Sequence, residues 1–292
     1  MRRSLLCIAL LAAVAAPAAF AHNHGGDAKP MGAAAHDAHE QAKAALDAAI
    51  AGDWRTPANV ARDGFRNPGP TLGFFGITPS MTVVEITPGG GWYAEILAPY
   101  LRDGGRYVAA VNDPTKASSP RATEYHAANN KALRDKFAAN AAVYGAPTLV
   151  EFSPAEPAFG AAGSADAVLT FRNVHNWMMG DQEAGMFKGF FEVLKPGGVL
   201  GVVEHRSNAD VPDGDRSGYV SEAQVIAMAT AAGFVLEEKS EINANPKDDT
   251  DHPNGVWTLL PSLNVPEGED KAVYQAIGES DRMTLRFRKP AA

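Results

Sequence analysis

TVVEITPGGGWYAEILAPYL, residues 82–101, reads as strand, turn and helix in succession. Val83, Val84 and Ile86 form the short apolar run of a strand buried on both faces. Glu85 stands near its end. Pro88-Gly89-Gly90-Gly91 then breaks both regular structures and suits a tight turn with close backbone approach. From Trp92 to Leu101 the chain predicts a helix, with Tyr93, Ile96, Leu97 and Tyr100 along one face. Strand, glycine turn and helix open a nucleotide-binding α/β unit, in which free N–H groups at the helix start face the ligand. No Gly-Lys-Ser/Thr follows, so this is not a phosphate loop, and the spacing departs from the dinucleotide fingerprint. An acidic residue just before the glycines suits a ligand with hydroxyl or ammonium donors better than a pyrophosphate. A turn that binds nothing is the other reading of the same residues.

Outward from this unit the pattern repeats. Tyr107–Val111 predicts a second strand, Ala117–Tyr144 a long helical stretch and Thr148–Phe152 a third strand. Asp166–Phe171 predicts a fourth, followed by Arg172-Asn173-Val174-His175-Asn176-Trp177. Ligands of open α/β sheets bind beyond the carboxyl ends of the strands. A cluster of Arg, Asn, His and Trp at that edge is therefore a candidate site, with His175 the candidate general base. Met186–Leu194 predicts an amphipathic helix closed by the Lys195–Gly198 turn. Val199–Val203 follows as a fifth strand, ending in Glu204-His205-Arg206 on the same edge. Ser221 and Gln224 form a capping box. Phe234–Lys239 and Met283–Phe287 predict the last two strands.

Five stretches carry a family resemblance: 71–101, 168–178, 190–206, 245–263 and 279–290. They resemble a family of exported bacterial class I S-adenosylmethionine (SAM)-dependent methyltransferases. Glu85-Ile-Thr-Pro-Gly-Gly-Gly91 is similar to that class's first motif, with Thr87 at the first glycine position and Gly89 and Gly91 at the other two. The resemblance implies an α/β, Rossmann-like, seven-stranded methyltransferase fold, mostly parallel with a C-terminal antiparallel hairpin. It implies SAM as cofactor, held by Glu85, Thr87, Gly89, Gly91 and Asn173. Asn112 and Asp113 fall where an acidic residue of this class meets the ribose. His175, with Glu204 and His205 behind it, would supply proton transfer to a small or undefined methyl acceptor. A non-catalytic binding module on the same scaffold is the alternative, because Thr87 and Asn112 depart from the pattern and fold alone does not establish activity.

Residues 1–21 read as a secretory signal: Arg2 and Arg3, an apolar core from Leu5 to Phe20, then Ala19-Phe20-Ala21. The implied location is periplasmic or secreted, without a stable membrane anchor. Cys7, the sole cysteine, leaves with the signal, which excludes disulfides and thiolate chemistry in the mature chain. Residues 22–36 read as a disordered, histidine-containing leader, 37–78 as a helical segment and 79–292 as the methyltransferase-like domain. Within 37–78, the resemblance implies that Trp54–Pro70 closes over the ligand, while its charges taken by themselves read as plain surface. A net charge of −8 without a basic block argues against a nucleic-acid partner. Asp248, Asp249, Asp251 and His252 have the composition of a hard-metal site, but a solvated loop is the preferred reading. No metal centre is expected.

Overall fold

A computed structural model describes residues 33–291 of the chain. The expected signal, 1–21, and the leader as far as residue 32 lie outside the described residues. Residues 33–36, expected in the disordered leader, belong instead to the first helix, α1 (Ala33–Ile50). Alanine is the strongest helix former, and the alanines at 33–35 carry the helix back past its amphipathic part. Leu46 and Ala49 are the buried residues of α1, and they join the same core cluster as Ile96 and Leu97.

Three short helices follow, α2 (Pro57–Val60), α3 (Asp63–Arg66) and α4 (Pro68–Phe74). The α/β part then runs β1 (Thr82–Ile86), α5 (Ala94–Leu101), β2 (Arg106–Asn112), α6 (Pro120–Ala139), α7 (Ala141–Tyr144), β3 (Thr148–Phe152), β4 (Ala165–Phe171), α8 (Val174–Met178), α9 (Glu183–Val193) and β5 (Leu194–Ser207). It closes with β6 (Val220–Ser221), α10 (Glu222–Ala231), β7 (Val235–Ser240), α11 (Lys271–Ile277) and β8 (Arg282–Arg288).

The sheet order is β3-β2-β1-β4-β5-β8-β7, with β6 added to the end of β5. The seven expected strands are thus joined by one two-residue strand. β1 to β5 are parallel neighbours, and β8 inserts antiparallel between β5 and β7. The winding direction reverses between β1 and β4, which places the topological switch point at their carboxyl ends. Period-two alternation splits the core into two layers. Val83, Ala109 and Leu169 pack on one face with α5, and Val84, Val108 and Val168 on the other with α9. Glu85 shares the face of Val83, between Ala109 of β2 and Leu169 of β4.

One local expectation changes. The Lys195–Gly198 turn forms a bulge within β5, between the pairs Ala165↔Leu194 and Ala167↔Val199. Gly255–Thr258 forms a 3-10 turn. Gly255 has a φ of +54°, and a Cβ there would lie 2.0 Å from the Ser217 carbonyl oxygen. That crossing admits only glycine at this position. Among the described residues no helix is long and apolar enough to cross a membrane.

Candidate functional site

The turn after β1 is held in an uncommon conformation. Thr87 has a φ of +48°, a costly region for a β-branched residue. Its N–H donates to the Ala110 carbonyl at 2.7 Å, which ties the turn to β2. Gly89 and Gly91 also have positive φ, but they face different neighbours. Gly89 and Gly90 line a cavity of about 620 Å³ at the carboxyl ends of the strands. Gly91 is not part of that lining. A Cβ at Gly91 would sit 3.1 Å from Leu133 Cδ1, so glycine there serves the approach of α6 rather than of a ligand.

The segment 54–70 is fastened over this cavity through α5. Trp54 Nε1 donates to the Glu95 carbonyl at 2.9 Å, and Trp92 Nε1 to the Asn59 carbonyl at 2.7 Å. The buried Glu95 carboxylate accepts from the Thr56 hydroxyl and from Lys136 Nζ, both at 2.6 Å. Burial would raise the Glu95 carboxyl, but Lys136, Thr56 and Asn59 hold it below its usual value. Asn59, Arg62 and Arg66 reach the cavity from this segment. Arg55 and Arg66, whose charges could have been plain surface, are buried.

Of the residues expected at the cofactor, Glu85, Thr87, Gly89, Asn112 and Asn173 line one cavity. Asp113 does not. Its carboxylate accepts from the N–H (2.8 Å) and hydroxyl (2.7 Å) of Thr115 and caps the turn that follows β2. Asn173 Nδ2 donates to the Ile86 carbonyl at 3.0 Å and so links the ends of β1 and β4. Tyr93 stacks on Phe171 with centroids 3.6 Å apart, where α5 meets the end of β4.

Glu85 is buried and accepts from the Tyr107 hydroxyl at 2.6 Å. Burial pushes its carboxyl up to about 7, against the smaller pull of Tyr107 and Arg66. The folded chain therefore binds a proton there more tightly than the unfolded chain. The associated stability is full below the usual carboxyl range and is lost as pH rises from about 4.5 to about 7. Glu85→Gln removes that loss, so its melting temperature relative to wild type should climb across this window. A gain on the order of 2 kcal/mol at pH 8 is expected. Thermal melts of both proteins from pH 4 to pH 8 check it, and parallel curves would show that Glu85 stays ionised.

His175, Glu204 and His205 converge where β4 and β5 end. His175 and Glu204 are buried, and their Nδ1 and Oε1 lie 3.0 Å apart. Glu204 also accepts from the backbone N–H of Val174 (2.6 Å) and of His205 (2.8 Å). With Nδ1–H donated to Glu204, His175 Nε2 is the free acceptor. The carboxylate fixes tautomer and ring orientation, as in hydrolase triads. His205 Nδ1 hydrogen-bonds the Ser280 hydroxyl, and the two rings are 5.3 Å apart. Burial, His175 and the nearby arginines hold His205 well below the usual imidazole value. Both rings line the cavity, whereas Glu204 lies behind them. The ligating atoms of the three side chains lie within 4.8 Å of one another. Glu204 already accepts three hydrogen bonds, and Arg172 and Arg282 bring positive charge to the same place, so the cluster suits proton transfer better than a divalent cation.

The largest feature missing from the sequence reading is a group of arginines. Arg62 Nε (2.6 Å), Arg66 Nε (3.4 Å) and Arg282 Nη2 (2.9 Å) all donate to the Glu279 carboxylate. Arg172, at a φ of +63°, lines the same cavity, and its guanidinium donates no hydrogen bond among the described residues. Arg66 also lies over the Trp92 ring, 4.8 Å from its centroid. Burial and neighbouring guanidiniums pull Arg66 down to about 8 and Arg172 to about 10. Burial alone would raise Glu279, but Arg282, Arg66 and Arg62 draw it down to about 2.

The acidic loop at 248–252 is only partly the solvated segment expected: Asp249 and Asp251 are exposed, whereas Asp248 is not. Asp248 is buried, accepts from Tyr219 Oη at 2.9 Å and from the Asp281 N–H at 2.7 Å, and meets His252 Nε2 at 2.8 Å. It anchors this loop to the entry of β8, which carries Glu279 and Arg282 into the site.

No protein-family model and no curated protein matches the chain. Solved structures do. A SAM-dependent methyltransferase from Aquifex aeolicus has a TM-score of 0.50 at 13% identity, over 85% of this chain and 98% of the other. A cyclase, SpnF, has a TM-score of 0.53 at 14% identity, over 87% of this chain and 95% of the other. The fold is that of the class I methyltransferases. It carries different reactions in these two neighbours, so the reaction here has to be argued from the site.

Proposed function

We propose that the protein is a SAM-dependent methyltransferase acting outside the cytoplasm on a small-molecule acceptor. The observation that carries the reading is a single cavity joining the glycine turn and Asn112 to the His175–Glu204 pair. Its volume lies within the range of cavities that hold a cofactor and a small ligand. The residues present fit an adenosyl amino acid. Gly89 and Gly90 admit close backbone approach, the Asn112 amide suits a ribose hydroxyl, and Glu85 and Asn173 lie beside the turn. When bound there, SAM supplies a methyl group already activated on a sulfonium. The chain then has to align, exclude water and accept a proton. Tyr93 and Phe171 line the cavity between β1 and β4, and the 54–70 segment covers it. His175 Nε2 accepts the acceptor's proton while Glu204 holds Nδ1–H. Export rests on Arg2, Arg3 and the apolar run ending in Ala19-Phe20-Ala21.

Calorimetry on ligand-free protein tests the cofactor half of the reading. SAM and S-adenosylhomocysteine should each bind at a single site, and Asn112→Ala should weaken both by roughly tenfold, the scale of one lost hydrogen bond in a ligand site. No heat with about 1 mM SAM, roughly the upper end of usual substrate affinities, would leave the second reading, an exported binding module on this scaffold. The export segment favours that module, because SAM is made in the cytoplasm. Native mass spectrometry of protein taken from its own compartment would then identify the resident ligand by mass.

A further inference from the structure

We propose that the acceptor is a small organic anion whose carboxylate or phosphate is seated against Arg62, Arg66 and Arg172, with Arg282 adding positive charge from behind them. The proposal rests on the methyltransferase reading above and names the substrate class for that site. Arg62, Arg66 and Arg172 line one wall of the cavity, and Glu279 is the carboxylate that Arg62, Arg66 and the buried Arg282 share. Its two oxygens are taken up by those contacts. Arg62 Nη2 and Arg66 Nη2 are nevertheless buried without an acceptor among the described residues. Arg66 is 3% exposed, so water does not offer a general substitute. An unpaired buried donor is costly, and far more so on a charged group. Arg172 adds a guanidinium with no protein acceptor at all among the described residues, held at a positive φ that a non-glycine residue seldom adopts. Planar, forked donors of this kind match a carboxylate or phosphate bidentately.

The cofactor does not remove the imbalance. SAM carries one carboxylate, one ammonium and one sulfonium, so its arrival adds a net positive charge. The charge that balances the wall has to come with the second ligand. The wall is also in the right place. Arg172 directly precedes Asn173, Arg282 enters from β8, and Ser280 between Glu279 and Arg282 bonds His205. An anion held there brings the remainder of its molecule to His175 and Trp257, whose rings are 6.0 Å apart.

The test uses the mature protein in low-salt buffer, with malonate and inorganic phosphate as probes. Binding is read by calorimetry and by melting temperature, with and without S-adenosylhomocysteine. Wild type should bind at least one probe, and should do so with S-adenosylhomocysteine present. Arg172→Gln should weaken that binding by roughly tenfold or more, since a hydrogen-bonded charge is lost. It should raise the melting temperature of the ligand-free protein, because one of several crowded like charges is gone. Affinity for S-adenosylhomocysteine should stay within about threefold, a change below one hydrogen bond. Arg62→Gln, at the more exposed edge, repeats the measurement should Arg172→Gln fold poorly. Absence of probe binding to wild type overturns the proposal. So does an equal loss of probe and S-adenosylhomocysteine affinity in the variants, which would assign the arginines to the cofactor's own carboxylate. Probe binding by a protein that binds no SAM would uphold the anion subsite and remove the methyltransferase reading instead.

Discussion

Glu279→Gln should melt roughly 10 °C below wild type at neutral pH. The side chain is 3% exposed and accepts from three guanidiniums, two of them equally buried. The substitution keeps the shape and removes the one negative charge at their centre. Breaking a buried ion pair by deleting one partner costs about 3–5 kcal/mol, because the remaining charge stays buried. In a domain of this size each kcal/mol moves the melting temperature by about 2–4 °C. The pH dependence gives an independent check. Arg282, Arg66 and Arg62 hold the folded-state carboxyl near 2, below its ordinary 4.5. The stability contributed by Glu279 is therefore fully present above about pH 4.5 and is lost as pH falls toward about 2. Wild type should lose that contribution in this window, and the variant should have none to lose. Scanning calorimetry from pH 2 to pH 8 measures both effects. Coincident melting curves at neutral pH would mean that the arginines are balanced by something other than Glu279.

This network shows where sequence reading stops. Arg62 and Glu279 are 217 positions apart, and nothing local to either predicts the other. Arg282 sits in a strand whose charged and apolar residues alternate, so it reads as the solvent side of an edge strand. Antiparallel insertion of β8 between β5 and β7 buries its first residue against Glu279 instead. By contrast, β1 was legible because Val83, Val84 and Ile86 serve layers on both faces and leave no polar side to confuse the pattern. His175 was legible because it follows an apolar strand and ligands gather beyond strand ends. The ribose position was only half legible. Asn112 ends its strand facing the cavity, but the next residue, Asp113, is taken by Thr115. Sequence shows that a carboxylate is present and not which donor claims it. Gly91 makes the same point in reverse: the motif names it, and packing against Leu133 explains it.

His175→Ala should lower kcat by roughly a hundredfold or more, the usual scale for loss of a general base, while SAM affinity is kept. The expectation follows from the direction of the Glu204 bond. Because Nδ1 faces Glu204 at 3.0 Å, the base is Nε2, on the ring edge away from the carboxylate. The measurement is S-adenosylhomocysteine release, on an acceptor that turns over. Glu204→Gln should fall between wild type and His175→Ala, since a neutral amide still reaches His175 but stabilises imidazolium less. Truncating His175 also leaves one oxygen of the buried Glu204 with a partner fewer, so melting temperature has to be followed alongside rate. His175→Gln, which can still donate toward Glu204, separates the two effects. If both His175 variants lose rate and keep both stability and SAM affinity, His175 moves the proton. Loss of stability and SAM affinity together, restored by His175→Gln, would make it a packing residue of the β4 end. Full activity in a stable His175→Ala protein would take it out of the mechanism. His205, 5.3 Å away and held well below the usual imidazole value by burial, His175 and the nearby arginines, would then be the next candidate base.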